Sequence, residues 1–578
     1  MHTFRIFPPI TDRASWDAVA NSESKRYITS QIVPKAEVLL SEPIPELSAS
    51  EYMEFAQNGN RSHYEAKYFP RRSNLPVLVF AECLENKGRF IPRIIYYIWA
   101  MLSEPTWCLP AHASGFTEKE RKAHDPLPTD EYPLIDLFAA ETGAFLSQTL
   151  EIMESVLAGI SPNLARRIRK EVNDRLLVPT EKDLWFYHWS KNIRNWNPWI
   201  CSNLLIAAST IFEGDDQRFE AYANTLMESI QNYFNAYSED GGCDEGAGYW
   251  NLSPTRYFLF MEGIYRASDG QISCFDDPKF KNSCRYIYDT WFTKERFSRF
   301  ADCGGRHTIY TGIVRAMFER TGFTEGLAFP DILDSIDYQF PKPHSAFAPY
   351  YFDLFLPNHP EATIPEKSFH VYPLLQQLFC RRNGAFIAIK GGSNNESHGH
   401  NDVGQFIIGK NGLFPILDLG SGTYDKSTFS VDRYKNYPQS GLSHNPLVFD
   451  GIPQEEGIAI AQNFKVTGDA DAFTCTMEIS GSYPKSLGLL SYVRSFSFDG
   501  SMLTVRDEWK ASRPLTPSMT LLHEIPNPDF TSSAPFKTEE FPITDAWLKN
   551  AWGEMLYRST ITLPTASAGM FTLSFPLS

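Results

Sequence analysis

Long apolar runs are absent from this chain of 578 residues. No window reaches about 18 uninterrupted apolar residues, the length that a helix needs to cross a bilayer. The first residues, MHTFRIFPPITDRASWD, contain no basic stretch followed by an apolar one, so they do not resemble a secretory signal. We therefore expect a soluble, cytoplasmic protein. A chain from which a signal peptide had been removed would look the same, and it would be secreted or periplasmic.

Basic residues are also in short supply. The chain has 53 lysines and arginines against 69 aspartates and glutamates, which gives a formal net charge of −16. This balance argues against a broad electrostatic footprint for nucleic acid or for an anionic membrane. We expect neither partner, whereas an anionic ligand would need a locally basic cleft.

Cysteine pairs are missing as well. The nine cysteines are scattered singly, with no CxxC pair, so we expect reduced thiols rather than a disulfide framework. Aromatic residues, by contrast, make up 14% of the chain. Flat rings exposed in a cleft can grip the faces of sugars, so the composition leans towards a carbohydrate ligand.

Two periodicities divide the chain. From about residue 75 to residue 340 the apolar residues recur at helical spacing, for example in IDLFAAETGAFLSQTLEIMESVLAGI. Short loops join these segments in pairs, which is the pattern of a stacked α/α array or toroid. A proline-dense stretch at 340–367 ends the helical pattern. We predict a multidomain α and β protein whose first domain, residues 1–367, is an N-terminal (α/α) toroid with an extension at 1–60.

Beyond residue 367 the apolar period becomes two, as in GAFIAIKGG and LSYVRSFSFDGSMLTVRDEWK. Asn411-Gly412 and Asp499-Gly500 lie between such runs and predict hairpin turns. We therefore predict a C-terminal antiparallel β-sandwich over residues 368–578.

Three groups of residues carry the candidate chemistry. The first begins with SHGHND, which places His398, His400 and Asp402 at the lip of a predicted hairpin. Asp418 and His444 follow in or beside apolar β segments. Two imidazoles and a carboxylate make a plausible set of ligands for a divalent metal, zinc or manganese. The spacing alone is also compatible with Asp418 capping a turn and His444 bonding to backbone.

The second group, NIRNWNPWICSN at 192–203, concentrates four asparagines around two tryptophans where a helix is predicted to begin at Pro198. An asparagine before a helix is usually a cap, and amide donors beside tryptophan also suit a carboxylated sugar. The third group, SEDGGCDEGAGYWNLSPTRYF at 238–258, is a glycine-rich loop. It is either a surface loop between helices or a loop that brings Tyr249 to a ligand as a proton carrier.

Together these groups resemble the heparinase II/III superfamily of polysaccharide lyases. The resemblance rests on SHGHNDVGQFIIGKNGLFPILDLGSGTYD followed by YKNYPQSGLSHNPLVFDG, and on IDLFAAETGAFL, NWNPWICSN and DGGCDEGAGYWN. These motifs occur in the superfamily's order from about residue 60 to residue 510. The NWNPW segment is most similar to the broad-specificity glycosaminoglycan lyases. The resemblance implies a toroid followed by a β-sandwich, and β-elimination at C4 of a uronic acid.

The resemblance also implies roles for individual residues. Asn195 would neutralise the uronate carboxylate by hydrogen bonding. Tyr249 would serve as base and acid on one face of the sugar, provided that a positive charge or a hydrogen-bond relay lowers its pKa. His398 would be a second base for the opposite face, and Tyr434 an alternate acid. Both glucuronic and iduronic acids would then be substrates.

The resemblance assigns one divalent metal ion, zinc or manganese and mainly structural, to His400, Asp418 and His444. Residues two apart in a straight strand face the same side, so separating His398 from His400 requires a bend. Gly399 would make that bend cheap. Asp402 is then expected to cap a turn or a strand rather than to bind the ion.

Further substrate contacts are predicted outside these roles. They are Trp107, His112, Trp196, Asn197, Arg306 and His307. The first two and the last two are equally compatible with a structural role. Some relatives carry a histidine where this chain has Trp196, which weakens the case for alginate as the substrate.

The leading hypothesis is a lyase that cleaves heparan sulfate, hyaluronan, or chondroitin and dermatan sulfate by β-elimination and leaves 4,5-unsaturated uronates. Its partner would be an anionic, uronate-containing polysaccharide or oligosaccharide. The alternatives are an oligoalginate lyase, a toroid-fold glycoside hydrolase and an inactive carbohydrate-binding relative. A hydrolase would need two carboxylic acids facing one bond, and Asp244 and Glu245 are adjacent and cannot easily straddle it.

Overall fold

The computed structural model describes residues 1–113, 125–129, 131–304, 309–342, 347–424, 428, 430–457 and 459–577. The chain forms two compact units, each assembled from three segments. The helical unit comprises Met1–Tyr237, Asn251–Asp276 and Thr308–Ala362, and the β unit comprises Ser238–Trp250, Asp277–His307 and Thr363–Ser578. The predicted domain boundary at 367/368 stays a prediction, because the two units alternate along the chain before that point.

The helical unit is built from helices of very different lengths. They are α1 (Arg13–Ala20), α2 (Arg26–Leu39), α3 (Ala49–Asn58), α4 (Ser62–Glu85), α5 (Ile91–Leu102), α6 (Pro110–Ala113), α7 (Leu137–Ile160), α8 (Pro162–Val172), α9 (Val178–Asp183), α10 (Trp196–Ile211), α11 (Asp216–Ala236), α13 (Pro254–Ala267), α15 (Thr311–Thr321), α16 (Ala328–Asp337) and α17 (Phe347–Phe355). Within the described ranges, no helix combines the length and the apolar character needed to cross a membrane.

Local signals fix the ends of the central helices. Asp136 accepts a hydrogen bond from the backbone N–H of Ala139 and so caps α7, and Pro162 opens α8 as predicted. Helix α10 begins at Trp196, two residues before the predicted start at Pro198. A proline in the first turn costs no intrahelical hydrogen bond, so the helix can begin before it. Helices α7 and α10 pack against each other, and most of their residues are buried.

In the described part of the β unit there are three larger sheets and one small one, and every strand pair within them is antiparallel. The strands are β1 (Trp291–Thr293), β2 (Arg296–Phe297), β3 (Lys367–Tyr372), β4 (Gln377–Arg382), β5 (Ala385–Lys390), β6 (Phe406–Lys410), β7 (Leu413–Ile416), β8 (Val448–Phe449), β9 (Gln462–Gly468), β10 (Phe473–Glu478), β11 (Leu489–Phe498), β12 (Met502–Leu515), β13 (Pro517–His523), β14 (Thr531–Ser532), β15 (Phe536–Pro542), β16 (Met555–Thr562) and β17 (Ala566–Pro576). Three helices belong to the same unit: α12 (Gly246–Trp250), α14 (Pro278–Thr290) and α18 (Ala546–Trp552).

The sheet orders are β3-β4-β5-β6-β7, β14-β17-β12-β11-β10-β9 and β15-β16-β13-β8, with β1-β2 as the small sheet. Asn411 and Gly412 both have positive φ values, 52° and 80°, in the two-residue turn between β6 and β7. This is the backbone that an Asn-Gly hairpin turn requires, so the predicted turn is confirmed.

A cluster of buried hydrophobic residues joins the three larger sheets of the β unit. Phe406 on β6 contacts Phe496 on β11 and Phe575 on β17, with ring centroids 5.7 Å apart in both pairs. Side chains of the five-stranded and six-stranded sheets therefore meet face to face, as in a sandwich. A helical unit and an antiparallel β unit confirm the fold class predicted from the two periodicities.

Candidate active site

A buried carboxylate, Asp302, joins the two histidines of the SHGHND segment. Its Oδ2 accepts a hydrogen bond from His398 Nδ1 at 3.0 Å, and its Oδ1 accepts one from His400 Nε2 at 3.1 Å. An Arg433 Nη2 lies 2.9 Å from Oδ2. Burial pushes the pKa of Asp302 upward, but the bonds from both histidines and the charge of Arg433 outweigh burial and hold this pKa well below its usual range. An ionised carboxylate only accepts, so Nδ1 of His398 and Nε2 of His400 carry protons.

The bend that separates the two histidines lies at His398 itself. His398 has a φ of 54°, in the left-handed region that residues other than glycine rarely adopt. The expectation that Gly399 supplies the bend is therefore wrong. Gly399 is needed for space, because a Cβ there would lie 2.9 Å from the Glu396 carbonyl oxygen. Hydrogen bonds to two carbonyls hold the bend: the Asp302 backbone N–H donates to the His398 carbonyl at 3.1 Å, and the Arg433 guanidinium donates to the Gly399 carbonyl.

Tyr249, on the short helix α12, stacks on His398. The ring centroids are 3.9 Å apart and the planes differ by 23°. The Tyr249 hydroxyl lies 3.2 Å from that of Tyr424. Burial raises the pKa of Tyr249, the bond with Tyr424 lowers it in part, and the negative charge of Asp302 raises it again. The net pKa lies above the ordinary value, so Tyr249 is a neutral phenol near pH 7. A hydrogen-bond relay was expected to lower this pKa. The relay present here runs from Tyr249 through Tyr424 to the ionised Asp302, whose negative charge raises the pKa of Tyr249 instead.

Tyr424 is the tyrosine that joins this group. Its hydroxyl bonds to Tyr249 and to Asp302, and burial of that end, together with nearby negative charge, raises its pKa. Its ring is 37% exposed. Tyr434, the predicted alternate acid, directs its hydroxyl to the Asn394 carbonyl at 3.4 Å. Its catalytic role stays a prediction.

The second nitrogen of His398 faces another carboxylate. Nε2 lies 3.6 Å from Glu245 Oε1, and that oxygen also accepts a hydrogen bond from Ser397 Oγ at 3.0 Å. With the Nδ1 proton directed to Asp302, the neutral form of the ring carries its lone pair on Nε2. This nitrogen is therefore the position at which His398 can take up a proton.

His400, Asp418 and His444 converge as the metal hypothesis requires. One ligand atom from each lies within 4.8 Å of the others, and all three side chains are buried. Among the described residues, Nδ1 of His400 and Nε2 of His444 are buried without a hydrogen-bond partner. Burial raises the pKa of Asp418, but neighbouring His444 lowers it below its ordinary value, so the carboxylate is ionised. Two unpaired imidazole lone pairs beside a carboxylate fit zinc or manganese.

Asp402 does not belong to this ligand set. Its Oδ1 lies 2.7 Å from the ammonium of the fully buried Lys390, which also lies 3.0 Å from Glu396 Oε2. The side chain therefore forms a buried ion pair and does not cap a turn or a strand as expected.

In the helical unit, two predicted asparagines have different surroundings. Asn195 directly precedes α10 and is buried, with helical φ and ψ values of −53° and −27° rather than the extended values usual for a capping residue. Asn197 is fully buried, and its amide nitrogen donates to the carbonyls of Ser190 at 3.0 Å and Ser229 at 3.1 Å. These core bonds use the amide donors of Asn197, so we do not propose that Asn197 binds the substrate.

The predicted aromatic contacts also differ in exposure. Trp107 is 2% exposed, and its Nε1 donates to the Met101 carbonyl at 2.9 Å, so it is a core residue. His112 is partly exposed, pairs with Asp136 through Nδ1 at 2.8 Å, and lies with its ring centroid 4.9 Å from that of Trp196. The substrate roles of His112 and Trp196 stay predictions.

Sequence reasoning missed three functional candidates: Asp302, Tyr424 and Arg433. Asp302 stands in the aperiodic segment ADCGG, where an acidic residue has no distinctive local pattern. Two further predicted substrate residues, Arg306 and His307, lie outside the described residues.

The fold of this chain is similar to the folds of several solved polysaccharide lyases. Heparinase III matches with a TM-score of 0.63 at 12% identity, over 100% of this chain and 93% of that chain. Heparan sulfate lyase HepC from Pedobacter heparinus matches with a TM-score of 0.54 at 11% identity, over 99% and 93%. Chondroitin AC lyase from Streptomyces coelicolor A3 gives 0.55 at 8%, over 98% and 82%.

At these identities the likeness shows the fold alone. No protein-family model matches the chain, and no curated protein sequence matches it. The predicted toroid and β architecture is confirmed, and the activity rests on the chemistry of the site.

Proposed function

We propose that this protein is a polysaccharide lyase that cleaves uronic-acid-containing glycosaminoglycans by β-elimination. The observation that carries the proposal is the stack of Tyr249 on His398, with His398 held by the ionised Asp302. A neutral phenol beside an imidazole offers a proton donor and a proton acceptor in one place. The heparinase-type fold supports the same assignment.

In the proposed reaction His398 is the base and Tyr249 is the acid. Nε2 of His398 takes the C5 proton of the uronate, and the electrons of that bond form the C4–C5 double bond. The C4–O4 bond breaks, and O4 takes the proton of Tyr249. Carboxylates of Asp302 and Glu245 flank His398 and stabilise the imidazolium that forms. The raised pKa of Tyr249 favours this acid role over the double role that the resemblance implies.

The stacking geometry favours substrates with glucuronic acid. Rings whose centroids are 3.9 Å apart leave no room for a sugar between them, so both act from one side of the substrate. In a glucuronic acid unit the C5 proton and O4 lie on the same face of the ring, whereas in an iduronic acid unit they lie on opposite faces. We therefore narrow the expectation of both epimers to a preference for glucuronate.

The uronate carboxylate must also be neutralised, because removal of the C5 proton builds a second negative charge beside it. Asn195 is the residue that the resemblance assigns to this task, and an amide donor suits it. Loss of one such donor typically costs about 10²–10³-fold in turnover. Asn195→Ala should show a loss of this size on a glucuronate substrate.

His400, Asp418 and His444 would hold the metal ion. When bound, a zinc or manganese ion would supply fixed ligation and positive charge, which stabilise the loop that also carries His398. The proton transfers proposed above use the side chains of this chain alone.

One assay tests the proposal against its alternatives. The protein is incubated with heparan sulfate, hyaluronan, chondroitin sulfate and alginate, while new reducing ends and the ultraviolet absorbance of a C4–C5 double bond are followed together. We expect both signals on glucuronate-containing substrates. Reducing ends without the absorbance would indicate a hydrolase, activity on alginate alone an oligoalginate lyase, and neither signal a binding protein. The two carboxylates beside His398 argue against a hydrolase, because both are buried and already bonded.

A further inference from the structure

The two oxygens of the Asp302 carboxylate bond to two histidines with different proposed roles. One oxygen holds His398, the proposed base, and the other holds His400, a candidate metal ligand. Arg433 and Gln439 also contact this carboxylate, at 2.9 Å and 3.4 Å, and the Tyr424 hydroxyl bonds to it as well. The side chain has no exposed surface, so water does not compete for these bonds.

We propose that Asp302 is a positioning residue that couples the metal centre to His398, so that the orientation of the His398 ring depends on whether His400 holds its ion. The description of His398 as the base rests on the proposed function. The coupling itself concerns only two histidines and one carboxylate, and it stands or falls independently of the reaction.

The backbone of His398 needs such support. Its φ of 54° is disfavoured for a residue with a Cβ and persists only where surrounding contacts enforce it. Asp302 provides two of these contacts, since its N–H donates to the His398 carbonyl and its Oδ2 accepts from the ring. A displacement of Asp302 therefore acts on both the backbone and the ring of His398.

The ion decides how firmly Asp302 is held. Without it, Nδ1 of His400 is a buried lone pair that has no partner among the described residues. No hydrogen bond from the described part of the chain then holds the ring at Nδ1. An ion at Nδ1 would fix the ring and make its Nε2–H a stronger donor to Asp302 Oδ1. Because the two carboxylate oxygens belong to one rigid group, tightening one bond orients the other.

The first test is the zinc affinity of Asp302→Asn, measured by competition with a chromogenic chelator. Asparagine has the same shape but offers one acceptor oxygen and one NH₂ group, so it can accept from only one of the two histidines. We expect zinc to bind at least about 10-fold more weakly, the loss typical for a partner of a metal-binding histidine. The control is Asp289→Asn, which removes a buried carboxylate of the same unit whose described partners include Tyr372 and Arg285. Its zinc affinity should stay within about twofold of wild type.

The second test follows His398 directly, by NMR of protein labelled with ¹⁵N-histidine in zinc-free and zinc-loaded form. The signals of His398 are assigned from their absence in His398→Gln. In the wild type they should shift when zinc binds, although His398 is not a ligand. In Asp302→Asn at saturating zinc, the signals of His400 and His444 should still respond while those of His398 should not.

Two outcomes would overturn the proposal: an unchanged zinc affinity in Asp302→Asn, or His398 signals that respond to zinc equally in both proteins or in neither. Neither readout involves turnover, so a protein without lyase activity could still show the coupling. If the lyase assay succeeds, Asp302→Asn should lower kcat and leave KM within about twofold, because Asp302 contacts the histidines and not the substrate.

Discussion

Tyr249→Phe is the substitution that separates chemistry from folding most clearly. It removes one hydroxyl and keeps the ring that stacks on His398 at 3.9 Å. The hydroxyl contacts Tyr424 at 3.2 Å, a long bond between two neutral groups. Such a bond contributes about 0.5–1.5 kcal/mol to stability. We therefore expect the free energy of unfolding to fall by about 1 kcal/mol or less.

The expected effect on turnover is much larger. A positioned general acid contributes about 10²–10⁴-fold, which corresponds to about 2.7–5.4 kcal/mol in the activation barrier. Because the ring that would line the substrate site is kept, KM should change by no more than about threefold. The loss should therefore be in kcat, at least about 100-fold.

The assay is the initial rate of double-bond formation on hyaluronan or heparan sulfate, with urea unfolding measured on the same preparations. Tyr424→Phe is the control, since it removes the same hydrogen bond, together with the bond from Tyr424 to Asp302, and leaves the Tyr249 hydroxyl in place. It should lose at least as much stability but less than about tenfold in kcat. The acid role is refuted if Tyr249→Phe retains a rate within threefold of wild type. Equal losses in both variants would instead make the hydroxyl pair, and not Tyr249 alone, the reacting group.

Three further substitutions test other parts of the molecule. His400→Ala should lose the bound metal, and zinc should no longer raise its melting temperature. In the wild type, zinc at 100 times its Kd should stabilise the fold by about 2.7 kcal/mol. A variant that still melts higher with zinc would contradict the ligand assignment. Lys390→Met should lower the free energy of unfolding by about 3–5 kcal/mol in urea, because it strands two carboxylates that lie 2.7 Å and 3.0 Å from the ammonium; a loss below about 1 kcal/mol would contradict this. Burial raises the pKa of Glu151 to about 7, so its contribution to stability is complete below pH 4.5 and is lost as the pH rises through 7. Glu151→Gln keeps an acceptor for the N–H groups of Ile6 and Phe7 without titrating. Its melting temperature should therefore fall less between pH 5 and pH 8 than that of the wild type, and equal falls would contradict the assignment.

Much of the fold was predictable because its signals are local. The helical period, the Asp136 cap and Pro162 define α7 and the start of α8, and Asn411-Gly412 defines a hairpin. What local patterns do not reveal is that residues 238–250 and 277–307 pack with the β unit. That arrangement depends on contacts between distant residues, such as the buried bond from the Tyr286 hydroxyl to Gln377, 91 positions away.

The site divides in the same way. The convergence of His400, Asp418 and His444 follows from motifs that the resemblance supplied. Asp302 was missed because its role depends on hydrogen bonds with two histidines that lie 96 and 98 positions further along the chain. Likewise, no local pattern distinguishes Tyr424 from Tyr434, and only the folded chain shows which hydroxyl meets Tyr249.

The interleaved segments of the β unit have a consequence for synthesis of the protein in the cell. The ribosome releases Asp302 before His398, with 96 positions between them. At roughly 5–20 residues per second, the wait lasts about 5–20 s. For most of that time, until β4 has been synthesised, helix α14 with Tyr286 and Ile287 lacks the strand that later contacts it. Nascent chains of this protein should therefore engage chaperones over Asp277–His307 until translation passes β4.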